Sequence, residues 1–167
     1  TLDGNVSADG GMGRDDEYDV RGGGAGGSIW IDAATLSGSG NITANGGTTT
    51  DDNLDAGSGA GGRIALYYDT DTSSFGSLEA TSPAPPGSDN KQGGAGTIYK
   101  QEGSNDGDVI IANAATSLDK SEMEKTPLAT SNLSLRSLTL DQTAHVSFGY
   151  DLTISDTFTL QNNAEFE

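Results

Sequence analysis

The chain has 167 residues; 25 acidic against 8 basic side chains give a formal charge of −17 at pH 7, the apolar set is only 32%, and 25 residues are glycine. That is one domain's length, too poor in large side chains for a thick core, and too acidic for nucleic acid or an anionic membrane surface, which need clustered Lys and Arg. Cysteine is absent, which excludes disulfides and thiolate metal sites, and no apolar run approaches the 18 residues of a membrane-spanning helix.

From the start of the chain the sequence repeats itself. Gly-Asn-Val-Ser-Ala-Asp-Gly-Gly at 4–11 returns as Gly-Asn-Ile-Thr-Ala-Asn-Gly-Gly at 40–47, 36 residues later. The centre of the string returns at Leu78-Glu79-Ala80-Thr81 and again at Ile110-Ile111-Ala112-Asn113. A second string, Gly-Ala-Gly-Gly-Ser-Ile-Trp-Ile at 24–31, returns at 59–66 and, shortened, at 94–99. Each unit holds two short alternating strands, and helical periodicity is nearly absent. Like residues at like phase stack unit on unit, which predicts an aliphatic ladder of Val6, Ile42, Leu78 and Ile110 and a small-residue ladder of Ala8, Ala44, Ala80 and Ala112. This is the logic of a parallel β-solenoid. Glycines before the strands mark corners of positive φ or close backbone approach.

Between the strands lie Gly/Asp-rich inserts at 9–23, 45–59 and 81–93. In the first, Asp15, Glu17 and Asp19 alternate; 36 residues on stand Asp51, Asn53 and Asp55. Oxygen donors at i, i+2 and i+4 of a turn-rich loop suit a hard cation such as calcium, and the alternative is a solvated acidic loop. Asp69, Asp71 and Ser73 form a third, poorer set. Trp30, Ala65 and Tyr99 share the outward phase, with Tyr67 and Tyr68 nearby, so these four aromatics are candidates for contact with a carbohydrate or a partner. Asn5, Asn41 and Asn132 head Asn-x-Ser/Thr triplets, although the first two share a repeat phase that turn chemistry also explains.

Residues 115–131 read as a polar excursion. Beyond them, over 132–167, the period shortens: Leu138-Thr139-Leu140 realigns with Phe158-Thr159-Leu160 after 20 residues, and Leu133-Ser134-Leu135 with Leu152-Thr153-Ile154 after 19. His145, the single histidine, aligns with Glu165 at an outward, solvated position. No nucleophile elbow and no thiol is present, no carboxylate pair stands out, and no catalytic residue is assigned.

The strings at 22–31, 36–47 and 59–68 resemble the glycine-rich right-handed parallel β-helix repeats of very large bacterial extracellular and surface proteins. The resemblance covers residues 1–114. It implies a single-stranded right-handed parallel β-helix with glycine-rich insertions, placed at the cell surface in an adhesive or filament-like role, with no catalytic residues to transfer. With repeat strands reaching both ends and no polar capping unit, the expected partners are other copies or neighbouring domains of a longer chain. A polysaccharide is the alternative partner, and a polysaccharide-binding or polysaccharide-cleaving β-helix the alternative function.

Overall fold

The computed structural model describes residues 1–14, 21–49, 56–86, 91–114, 123–128 and 131–167. The described residues form twelve β-strands and no helix. Six of them, β2 (Ser28–Leu36), β4 (Arg63–Asp71), β6 (Thr97–Glu102), β7 (Asp108–Ala112), β9 (Leu133–Asp141) and β11 (Leu152–Leu160), make one sheet in the order β11-β9-β7-β6-β4-β2. Two three-stranded parallel sheets accompany it: β1 (Asn5–Ser7), β3 (Asn41–Thr43) and β5 (Ser77–Glu79); and β8 (Thr126–Pro127), β10 (His145–Ser147) and β12 (Glu165–Phe166).

The register follows the repeats through the first three units. Val6 pairs with Ile42 and Ile42 with Leu78; Ile29 pairs with Ile64 and Ile64 with Ile98. Side chains tie the units at the same period. The Asp9 carboxylate accepts from the Asn45 amide at 2.7 Å, and the Asn45 side-chain oxygen accepts from the Thr81 amide at 2.8 Å, each 36 residues on. Burial pushes the Asp9 carboxyl up, and hydrogen bonds from Ser7, the Asn45 backbone and Thr43 more than offset this, holding it below its ordinary value.

The fourth unit breaks the pattern and corrects the expected fold. The chain is not a single-stranded parallel β-helix: the large sheet is mixed, because β7 runs antiparallel to β6, with Ile98 opposite Ile110 and Lys100 opposite Asp108. The cause is the link over residues 103–107, where Gly103 takes φ +55° and the Asn105 amide donates to the Glu102 carbonyl at 3.2 Å. Five residues turn a hairpin, whereas a parallel return needs a crossover of a dozen or more. Ile110 and Ala112 therefore leave the ladders predicted for them, and pair with Thr139 and Asp141 on the far side.

Alternation along β6 and β7 then divides the interior in two. Ile98 belongs to a core with Ile29, Ile42, Ala44, Ile64, Leu66 and Ala80, and Ile110 packs against it. Val109 and Ile111 belong to a second core with Leu135, Leu138, Leu140, Ala144 and Val146, and Tyr99 packs against that one. Neighbours on a strand point to opposite faces, so the two cores lie on opposite faces of the shared sheet, each under its own small sheet.

The glycine stems of the inserts are part of the wall. The Gly24 amide donates to the Gly11 carbonyl, Gly47 to Gly24 and Gly59 to Gly47, each at 2.8 Å. A Cβ on Gly10, Gly47 or Gly59 would lie 2.0 Å from a backbone carbonyl oxygen. Among described glycines only Gly38 and Gly103 have positive φ. Close approach, rather than turning, is what requires most of them. In the second half two corners are turned without glycine, by Gln142-Thr143 and Asn162-Asn163, all at positive φ.

Candidate functional site

Two groups of side chains stand out, on opposite faces of the large sheet. The first grows from the repeat. Trp30 pairs with Ala65 and Ala65 with Tyr99, as the phase predicts. The small Ala65 leaves room for its neighbour two residues on, so Tyr67 fills the gap: its ring lies 4.4 Å from Trp30, 28° from coplanar, and 5.7 Å from Tyr99 at 56°. Tyr99 is braced from behind. Its ring occupies the space a Cβ on Gly107 would need, and its hydroxyl donates to the Gln101 Oε1 at 3.1 Å. Burial pushes the Tyr99 hydroxyl up from its ordinary value, with Tyr67, Asp106 and Asp108 adding to the shift. Trp30, at the end of the row on the edge strand β2, is 68% exposed.

Tyr68 is not in this row. One residue along a strand reverses the face, and Tyr68 packs against the first core with the Lys100 ammonium 5.8 Å from its ring centre. It joins the second group, a charge network that sequence reasoning missed. Lys100 bonds Asp71 at 3.1 Å and stands opposite Asp108 across the antiparallel seam. Asp108 accepts from Arg136 Nε at 2.9 Å and from Ser137 Oγ at 2.6 Å, and Arg136 Nη2 completes a two-pronged pair. Burial pushes both carboxyls up. For Asp108 the Arg136 and Ser137 hydrogen bonds and the Arg136 and Lys100 charges win, and for Asp71 the Ser73 and Lys100 bonds do, so both sit below the ordinary value. The Tyr68 hydroxyl is pushed up by burial and by Asp71, Asp108 and Glu102, against the pull of Lys100. Both cations are engaged by carboxylates, so the network seals the seam beside the first core. The signal that could have found it was the hairpin: once β6 and β7 are antiparallel, Lys100 must face Asp108.

The acidic residues Asp15, Glu17, Asp19, Asp51, Asn53 and Asp55 lie outside the described residues. In the third set, Asp71 spends its oxygens on the Ser73 amide and hydroxyl, at 2.9 and 2.6 Å, and on Lys100. Among the described residues no group of three or more His, Asp or Glu side chains is arranged to hold a metal ion. Asn41 donates through Nδ2 to Asn5 Oδ1 at 2.9 Å, and the Asp151 amide donates to Asn132 Oδ1 at 3.4 Å, so all three sequon asparagines are engaged.

His145 pairs with Glu165 in register, as the 20-residue period predicts. It is less exposed than expected, its side chain 11% accessible, because β10 is the central strand of its small sheet. Its Nε2 lies 3.8 Å from Glu165 and 3.6 Å from Glu167. Glu167 is in turn held by Lys125, whose hydrogen bond pulls that carboxyl below its ordinary value.

Compared with protein-family models, with curated proteins and with solved structures, the chain matches none.

Proposed function

We propose that the protein is a non-enzymatic, extracellular structural module that works as a stalk, adhesin segment or filament subunit through contacts between sheet edges. One observation carries this reading. In the second core Leu138 and Leu140 are completely buried, yet the residues paired with them one strand out, Phe158 and Leu160, are 47% and 50% exposed. They lie on the edge strand β11, whose outer backbone groups offer a template for another strand. A second copy docking there covers both side chains and extends the sheet. Joined β11 to β11, two copies close into a symmetric pair; joined β11 to β2, they grow an open filament. The extracellular placement rests on the resemblance of the glycine-rich repeats to those of bacterial surface proteins.

Sedimentation over a range from about 1 µM to about 1 mM, where edge contacts of modest area bind, tests the reading. The wild type is expected to rise above 17.0 kDa as concentration increases, and Phe158→Asp with Leu160→Asp to stay monomeric. A wild type that remains monomeric throughout overturns it.

A further inference from the structure

We infer that the outward face of β2 is a binding site for neutral hexopyranose units of a polysaccharide, with Trp30 as its stacking platform. The argument starts from an asymmetry in the aromatic row. One face of the Trp30 indole is backed by Tyr67 at 4.4 Å, and Tyr67 by Tyr99. The other face looks past the sheet edge, where among the described residues no strand follows β2, and the side chain is 68% exposed. An indole fixed from behind and open in front has lost most of its rotational freedom before any ligand arrives, which lowers the entropic cost of binding. A flat, electron-rich face of this kind attracts the weakly positive C–H face of a pyranose.

The polar groups needed for orientation stand on the same strand. Ser28 and Asp32 share the outward phase of Trp30, two residues before and two after it, and both are exposed. Each is about 6.6 Å from Trp30 along the strand, so a hydroxyl and a carboxylate bracket a sugar ring stacked between them. A carboxylate accepts from two adjacent sugar hydroxyls at once. Charge selects the class of sugar. Asp32 and Asp69 flank the row on this face, with Arg63 beside Ser28 as the opposing cation, and the chain as a whole carries −17, so the net field disfavours uronic-acid and sulfated polysaccharides and leaves uncharged ones unaffected.

The site stands on β2, at the opposite edge of the sheet from Phe158 and Leu160; a copy joined β11 to β2 would lie beside it, so Phe158→Asp and Trp30→Ala, each read for both self-association and sugar binding, separate the two proposals. Affinity electrophoresis of the full chain through gels containing hydroxyethylcellulose, galactomannan, dextran or soluble starch tests the inference, with alginate and polygalacturonate as acidic counterparts. Trp30 is the single tryptophan, so its fluorescence reports directly on the platform. Expected are retardation by at least one neutral polysaccharide and by neither acidic one, a change in Trp30 emission on adding that polysaccharide, and at least tenfold weaker binding by Trp30→Ala with an unchanged melting temperature. Phe158→Asp is expected to bind the polysaccharide as the wild type does. Retardation by no neutral probe, equal retardation of Trp30→Ala, or stronger binding of the acidic polymers overturns the inference. So does loss of self-association in Trp30→Ala without any sugar binding, which would make Trp30 a contact between copies.

Discussion

Gly62 offers a sharp test of why this chain is so rich in glycine. It sits between Gly27 and Gly96 at the entrance to β4, and a Cβ there would lie 2.0 Å from the Gly27 carbonyl oxygen, with backbone atoms of Gly26 and Ala44 also within 3.0 Å. That is about 1.4 Å inside ordinary contact, and the obstacle is backbone, which cannot swing aside. Making room separates Gly62 from its neighbours and puts at risk three hydrogen bonds: Gly62 to the Ala44 carbonyl at 2.7 Å, Arg63 to Gly27 at 2.9 Å, and Thr97 to Gly62 at 3.0 Å. At about 1 kcal/mol each the loss is about 3 kcal/mol before strain is added, which in a domain of this size lowers the melting temperature by about 6–12 °C. Gly11 provides the control, since a Cβ there meets nothing within 4 Å; Gly11→Ala is expected to be neutral or to gain about 0.5 kcal/mol from a less flexible unfolded chain. Thermal and denaturant unfolding of Gly62→Ala and Gly11→Ala measure the difference. Equal stabilities would show that the glycines are not there to let backbones touch, and the reasoning about the wall would fail.

Two further outcomes follow from one buried and one half-buried polar group. Asn113, 2% exposed, accepts from the Ser82 amide at 2.8 Å and donates to the Gly93 carbonyl at 3.2 Å; Asn113→Ala leaves both without that partner and is expected to cost about 2–4 kcal/mol in urea unfolding, a loss below 1 kcal/mol refuting the assignment. Asp108 titrates below its ordinary value in the folded chain, so its contribution to stability is present above the unfolded pKa of about 3.9 and is lost as pH falls through the folded value. The melting-temperature gap between wild type and Asp108→Asn should therefore be open at pH 7 and shrink toward pH 3, and a gap independent of pH would exclude the charge network as its source.

The all-β character and the registers of the first three units were legible because they rest on side-chain periodicity, which a sequence states directly. Val6 on Ile42 on Leu78 follows from identical phase, as does Trp30 beside Ala65 and Tyr99. Tyr67 behind Trp30 needed one more step, the recognition that Ala65 is too small to fill its place in the row. The reversal at β7 was harder to read, because Ile110-Ile111-Ala112-Asn113 carries the same alternation whichever way the strand runs. Its only mark is the shortness of the link from Glu102 to Asp108, with a glycine at each end. The charge network and the burial of His145 are consequences of pairings that periodicity alone does not name, of β6 with β7 in one case and of β8 with β10 in the other.

That reversal also explains why the second core lies where it does. The large sheet advances in one direction through β2, β4, β6, β7, β9 and β11 while strand direction inverts once, between β6 and β7. In the first half the chain leaves the large sheet, passes through a strand of the small sheet and returns parallel; in the second half it does the same. If strand direction inverts and the direction of advance does not, the two halves wind with the same hand only if the covering sheet moves to the opposite face. The separation of Ile98 and Ile110 from Tyr99, Val109 and Ile111 into two cores shows that it has moved. The halves are thus related by a half-turn about the axis along which the sheet grows, and their crossovers share one hand, as a fold whose crossovers all obey a single preference must. Among the described residues the half-turn leaves one face of β2, β4 and β6 without a covering sheet, and that is the face on which Trp30, Tyr67 and Tyr99 stand.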